Sequence, residues 1–166
     1  EKWLRRIIGG EELLNNVERW CLWLPGISPQ ELKALPHVLE RVEKVRQART
    51  DSGKARTREW AAYPTLFSEN RQPESDYLAI PKVSSERRTY MPIGFVCKDW
   101  IASGSILVAP NARLQHFGVL QSAMHMAWMR STCGRLESRY QYSVSIVYNN
   151  FPWPESLSEA LQQKIE

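Results

Sequence analysis

Cysteine is scarce in this chain, and its three copies lie far apart. Cys21, Cys97 and Cys133 form no CxxC pair, which argues against a disulfide framework or a zinc site and for reduced thiols in a cytosolic protein. Long apolar runs are lacking too: none approaches the ~20 residues that span a bilayer. No signal-peptide pattern stands at the start, where the chain opens without Met on EKWLRRIIGG. Both ends fall mid-pattern, so we read an excised piece of a larger protein, with further motifs outside it. A strong charge of one sign is also missing. The 22 Lys+Arg against 18 Asp+Glu leave a net charge of +4, which by itself says little about partners. Internal repeats and low-complexity segments are absent.

What is present suits a globular fold. The 166 residues, 43% apolar and 24% charged, are enough for one domain with a real core, or one domain with a small appendage. EKWLRRII reads as a short helix or strand ending at Gly9-Gly10, and ERWCLWL as a buried strand closed by Pro25-Gly26. The clearest local signal is SPQE. Ser28 is an N-cap, Pro29 takes the first helical position and Glu31 the capping-box position. Leu35, Val38, Leu39, Val42 and Val45 then recur at helical spacing, with Pro36 as a kink or restart and an end near Arg49. TDSGKARTREW is expected to be a loop.

YLAIPKV and MPIGFVC read as two strands, their prolines Pro81 and Pro92 marking edges or bulges. Between them lies SSERRTY, either a solvated hairpin tip or a working surface. SILVAPNA is a further short strand. Leu114 to Gly134 reads as one helix with Gly134 as its C-cap. RLESRYQYSVSIVYNNFPWP is aromatic and loop-like with a short strand, and ESLSEALQQKIE begins another helix. The order is mixed, not alternating βαβ, so the class is α+β: a mixed or antiparallel sheet with flanking helices, followed by a largely helical C-terminal segment.

Chemistry is concentrated in two places. From Arg41 to Arg58 stand seven basic residues (Arg41, Lys44, Arg46, Arg49, Lys54, Arg56 and Arg58) against Glu43 and Asp51, a local net of +5 in a chain whose total is +4. That asymmetry is what a phosphate-backbone contact leaves in a sequence, and a solvated helix face is the competing account. DSGK has no GxxxxGK[ST] frame and no buried strand leading into it, which excludes a phosphate loop. As a Gly-bearing loop with Lys54 and Arg56 it suits a DNA groove, where Lys and Arg pair with guanine.

The second place is SSERRTY. If it is extended, Glu86, Arg88 and Tyr90 share one face and Arg87 and Thr89 the other. Glu accepts from cytosine N4 and Arg donates to guanine; a plain salt-bridged hairpin is the alternative.

Other candidates are weak. His116 and His125 lie nine residues apart on one helix, and His125 sits among Met124, Met126, Trp128 and Met129, a packed core rather than a metal site. No arrangement suggests nucleophilic or acid–base catalysis. NNFPWP lacks the tandem prolines of the Asn-Pro-Pro-aromatic signature of adenine methyltransferases, and reads as an aromatic-proline turn.

Taken together, WCLWL, YLAIPKVSSERRTYMPIGF, PNARLQHFGVLQSAMHMAWMR, CGRLESRYQYS and IVYNNFPWP resemble the C-terminal part of MmeI-like DNA methyltransferases, single-chain restriction–modification enzymes that methylate adenine. The resemblance implies a target recognition domain over residues 1–104. Residues 105–166 would be a helical segment that supports it and lies against DNA. It also implies that the methyltransferase domain, with its S-adenosylmethionine site, lies upstream in the parent polypeptide, so that the fragment holds no cofactor or metal and catalyses nothing.

Carried over by position, Gly53, Lys54, Glu86, Arg88 and Tyr90 would read bases. Arg41, Lys44, Arg46, Arg49, Arg56, Arg58 and Arg87 would meet phosphates. The implied partner is double-stranded DNA, in the cytoplasm, with no membrane. The rival from another class is a protein–protein adaptor domain with an aromatic docking surface. An independent small enzyme is the weakest reading.

Overall fold

The computed structural model describes residues 2–154. The helix expected over ESLSEALQQKIE lies outside the described residues. Two compact units are present: one holds the chain up to Arg5 together with Trp20–Asn70, the other Arg6–Arg19 and the chain from Arg71 onward. The chain passes from the first to the second within strand β1 (Leu4–Ile8) and returns within β2 (Arg19–Leu22). The class is α+β, as expected.

The first unit is built around helices. Ser28 caps α2 (Pro29–Lys33), its Oγ accepting from Glu31 N at 3.1 Å. Pro36 disfavours helical geometry at the residue before it. Leu35 accordingly sits at φ −118°, ψ 75°, and a new helix, α3 (Pro36–Thr50), starts at Pro36. Of the apolar stripe expected on α3 only Val42 is buried; Val45 is exposed, and both line a groove of about 610 Å³ with Leu22, Leu24 and Leu66. Two expectations fail here. The segment after α3 is only partly a loop, because Ala55–Glu59 forms α4 and Trp60–Ala62 a 3-10 turn. β2 is not buried: Arg19 and Trp20 are exposed and Cys21 and Leu22 half-buried. Aromatic content signalled a strand, and burial depended on the elements packed against it.

The second unit has a sheet core. β3 (Tyr77–Pro81) is buried along its whole length and pairs antiparallel with β5 (Gly94–Val96) and β7 (Ile106–Pro110). Strand alternation divides its side chains between two cores. Tyr77 and Ala79 pack with Ile8, Val96, Ala102 and Ile106. Leu78 and Ile80 pack with Met91, Ile93, Leu120, Met126, Met129, Tyr140, Tyr142 and Val147. β3 is central, not the edge its proline suggested; Pro81 is its last residue, beyond Ala79, where the β5 ladder stops. β1 pairs parallel with β6 (Ile101–Ala102) at Ile7↔Ile101.

The single helix expected over residues 114–134 is two. α5 (Leu114–Leu120) ends at Gln121, and Ser122 caps α6 (Ala123–Thr132) by accepting from His125 N at 3.1 Å. Gly134 is not a cap; it opens β8 (Gly134–Leu136), which pairs with β9 (Arg139–Gln141). β9 also pairs with the two-residue β4 (Val83–Ser84). A π-helical turn, Val144–Tyr148, closes the described fold.

Candidate nucleic-acid interface

In the first unit the basic segment sorts by what each side chain already touches. Arg41, Lys54 and Arg56 are exposed and have no side-chain hydrogen bond or ion pair among the described residues. Lys44 pairs with Glu40 at 2.7 Å and Arg46 with Glu43 at 3.3 Å. Exposed helical pairs of this kind are worth only ~0.3–0.5 kcal/mol and exchange readily for another anion.

Arg58 Nη1 donates to Ser52 O at 2.8 Å, bracing the loop between α3 and α4. Arg49 is different. Its Nη1 donates to Trp60 O (2.9 Å) and Tyr63 O (2.8 Å), and its Nη2 to Leu66 O (2.8 Å). Burial lowers its pKa from the ordinary arginine value. Three of its five N–H donors are thus committed to holding the chain after α4 against the end of α3.

Gly53 is exposed, lies in no left-handed conformation, and has open space where a Cβ would be. A Cβ at 53 would therefore meet no clash, and nothing in the backbone there requires glycine. Lys54 N donates to Ser52 Oγ at 3.3 Å. This loop stands on α3 through the Gln47 amide, which donates to both Asp51 carboxylate oxygens at 2.9 and 3.0 Å.

In the second unit SSERRTY is not a strand. β3 and β5 do pair, so the stretch lies in the connection between them, but extended structure ends with β4 at Ser84. Arg88 N then donates to Ser85 O at 3.2 Å, closing a turn, and Arg87 N to Ser85 Oγ at 3.2 Å. The alternation that would put Glu86, Arg88 and Tyr90 on one strand face therefore does not apply; local hydroxyl capping won over the extended pattern. Glu86 and Arg88 are half-buried, Tyr90 is exposed, and the Arg87 side chain is 90% exposed with its Nε 4.0 Å from Glu86. Gly53 and Lys54 belong to the first unit, and Glu86, Arg88 and Tyr90 to the second.

His125 is a core histidine, as its apolar neighbours implied. It is fully buried, with Nε2 3.0 Å from Tyr142 Oη and its ring edge-to-face with Phe151 at 4.6 Å. Burial pulls its pKa down to about 4 and pushes that of Tyr142 up. NNFPWP likewise forms packed aromatic structure, Phe151 lying 5.6 Å from Trp153. Among the described residues no three His, Cys, Asp or Glu side chains gather as a metal site would need, and no helix is long and apolar enough to cross a membrane.

Comparison with known proteins gives this geometry its context. The family model of the MmeI target recognition domain matches residues 1–155. The chain belongs to that family. DNA methyltransferase A of Bacillus subtilis (strain 168) is 35% identical over 164 residues, covering 99% of this chain and 18% of the relative. The structure of MmeI, a type IIL restriction–modification enzyme in complex with DNA, superposes with a TM-score of 0.93 at 47% identity, over 98% of this chain and 22% of that one. The chain thus spans about a fifth of the length of the proteins it matches.

Within this MmeI-type recognition fold, sequence reasoning passed over the residues that hold the 85–93 segment. Arg130 Nη2 donates to Thr89 O at 2.7 Å and Gln121 Nε2 to Met91 O at 2.6 Å. With 114–134 read as one core helix, neither had a visible task. Ser122, an N-cap residue three before His125, was the available sign that the helix divides there. Arg135, stacked at 4.3 Å on Tyr140, and Arg139, paired with Glu137 at 2.9 Å, were also left unweighed.

Proposed function

We propose that this chain is the DNA-reading module of a larger site-specific adenine-N6 methyltransferase of the restriction–modification type. The observation that carries it is the match of nearly the whole chain, at 47% identity, to an enzyme whose structure holds DNA. In this reading Arg41, Lys44, Arg46, Arg56, Arg58 and Arg87 neutralise phosphates and set the register on double-stranded DNA. Arg49 acts mainly as an internal clamp on the chain after α4. Gly53, Lys54, Glu86, Arg88 and Tyr90 lie along base edges in the major groove, Glu86 and Arg88 together serving one G·C or C·G pair.

Residues 1–104 do the reading, and 105–166 back them and lie against DNA. The methyltransferase domain of the same polypeptide binds S-adenosylmethionine and extrudes the adenine from the stack. The setting is the cytoplasm, where such an enzyme meets the chromosome.

The test uses the full-length parent. Exchanging Glu86 and Arg88 is expected to change the base at one position of the methylated sequence, read by sequencing the methylated sites. An unchanged motif with lower activity sinks the specificity role. The adaptor alternative draws on exposed aromatics such as Trp20 (59% exposed) and Tyr63 (58%). It expects no steep fall of DNA affinity with salt, whereas phosphate contacts demand one.

A further inference from the structure

A Ser85 turn starts the loop that carries Glu86, Arg88 and Tyr90, and its far end is held from outside the loop. Its internal bonds are few: Arg88 N to Ser85 O and Arg87 N to Ser85 Oγ at the start, and Ile93 N to Met91 O at the end. The entry is fixed by β4, whose Ser84 pairs with Tyr140 of β9. The exit is held by the α5–α6 pair. Met91 N donates to Met126 Sδ at 3.4 Å, Gln121 Nε2 donates to Met91 O, and Arg130 Nη2 donates to Thr89 O. Met91 and Met126 are core residues, 1% and 2% exposed. Arg130 is exposed on the last turn of α6 and belongs to neither core cluster. Its target carbonyl lies between Arg88 and Tyr90 in the chain, so it governs the backbone from which both project.

We propose that Arg130 is a positioning residue for base recognition, rigidly presenting Arg88 and Tyr90 by pinning Thr89. The inference rests on the reading of 85–90 as base-contacting. Reading a base edge needs a side chain held to within a fraction of an ångström. A loop with so few internal bonds does not supply that by itself. A phosphate role for Arg130 makes a different forecast: its loss would weaken binding evenly across sequences and lower the salt dependence. A positioning role is felt at one base pair only.

The experiment compares the full-length parent with Arg130→Ala, Arg130→Gln and the Glu86/Arg88 exchange. Methylation of a library carrying each base at each position of the site is sequenced, and thermal unfolding is followed in parallel. Arg130→Ala is expected to reduce discrimination about tenfold, the scale of one good base contact, at the same base pair that the exchange re-targets. Other positions and the unfolding midpoint are expected to stay as they were. Arg130→Gln, neutral and with a shorter side chain that keeps an N–H donor, is expected to recover part of the discrimination. Should Arg130→Ala lower the midpoint, the glutamine variant carries the comparison.

An even loss at all positions, or unchanged discrimination, overturns the positioning role while a re-targeting exchange leaves the recognition reading standing. An exchange that re-targets nothing removes both.

Discussion

His125 illustrates how a titratable side chain is spent on packing. Its ring is buried between Tyr142 and Phe151, and burial holds its pKa near 4, below the ordinary value of 6.5. The folded state therefore binds this proton less well than the unfolded chain. Its contribution is fully present above about pH 6.5 and is lost as pH falls toward 4, at up to ~1.4 kcal/mol for each pH unit. His125→Gln is expected to show a flatter stability profile than the native chain between those limits, measured by urea unfolding at a series of pH values. Equal slopes would mean that the ring protonates without penalty. The sequence already placed this histidine in a core, because Met and Trp crowd the positions around it.

At the scale of elements, one guanidinium ties α3 to the chain beyond α4. Arg49 bonds three carbonyls 11, 14 and 17 residues further along, and its planar fork allows this where an ammonium does not. Arg49→Lys is expected to cost about 2 kcal/mol in denaturant unfolding of the first unit, a charge-assisted bond being worth ~1.5–3 kcal/mol before solvent screening. Affinity for DNA at low salt is expected to change little, since the charge stays. A lysine variant of native stability would show that the clamp is dispensable.

The basic run was visible in sequence, but which of its members face solvent was not. Its arginines look alike along the chain, and only the carbonyls folded against Arg49 single it out. The same holds for α5 and α6. Helical periodicity ran through both, and the break at Ser122 rests on a hydroxyl competing locally with the backbone.

At the scale of the whole molecule, the proposed reading makes charge and specificity separable. Arg41 and Arg56 are exposed and have no partner among the described residues. Replacing both by alanine in the parent is expected to reduce the slope of log K against log salt by about 2, at ~0.9 for each phosphate no longer neutralised. The methylated sequence is expected to stay the same. Titrations of DNA at several salt concentrations check the first point, and sequencing the second; a changed motif would move these arginines from phosphates to bases. Family membership covers nearly the whole chain but a fifth of its relatives' length.

The sequence by itself determined what depends on neighbours along the chain. It showed the Ser28 cap and an interruption at Pro36, the strands from Tyr77 and Ile106, the concentration of positive charge at 41–58 and the blocks that resemble the family. These are set by backbone sterics, local capping and composition. A local Ser85 turn overrules the strand-like start of SSERRTY, but tertiary structure decided how its end is held, through bonds from Gln121 and Arg130, 30 and 41 residues away from their partners. The physical reason is range. A loop with few internal bonds takes its conformation from what the fold brings against it, and no local pattern of residue types records which distant carbonyl an arginine will reach.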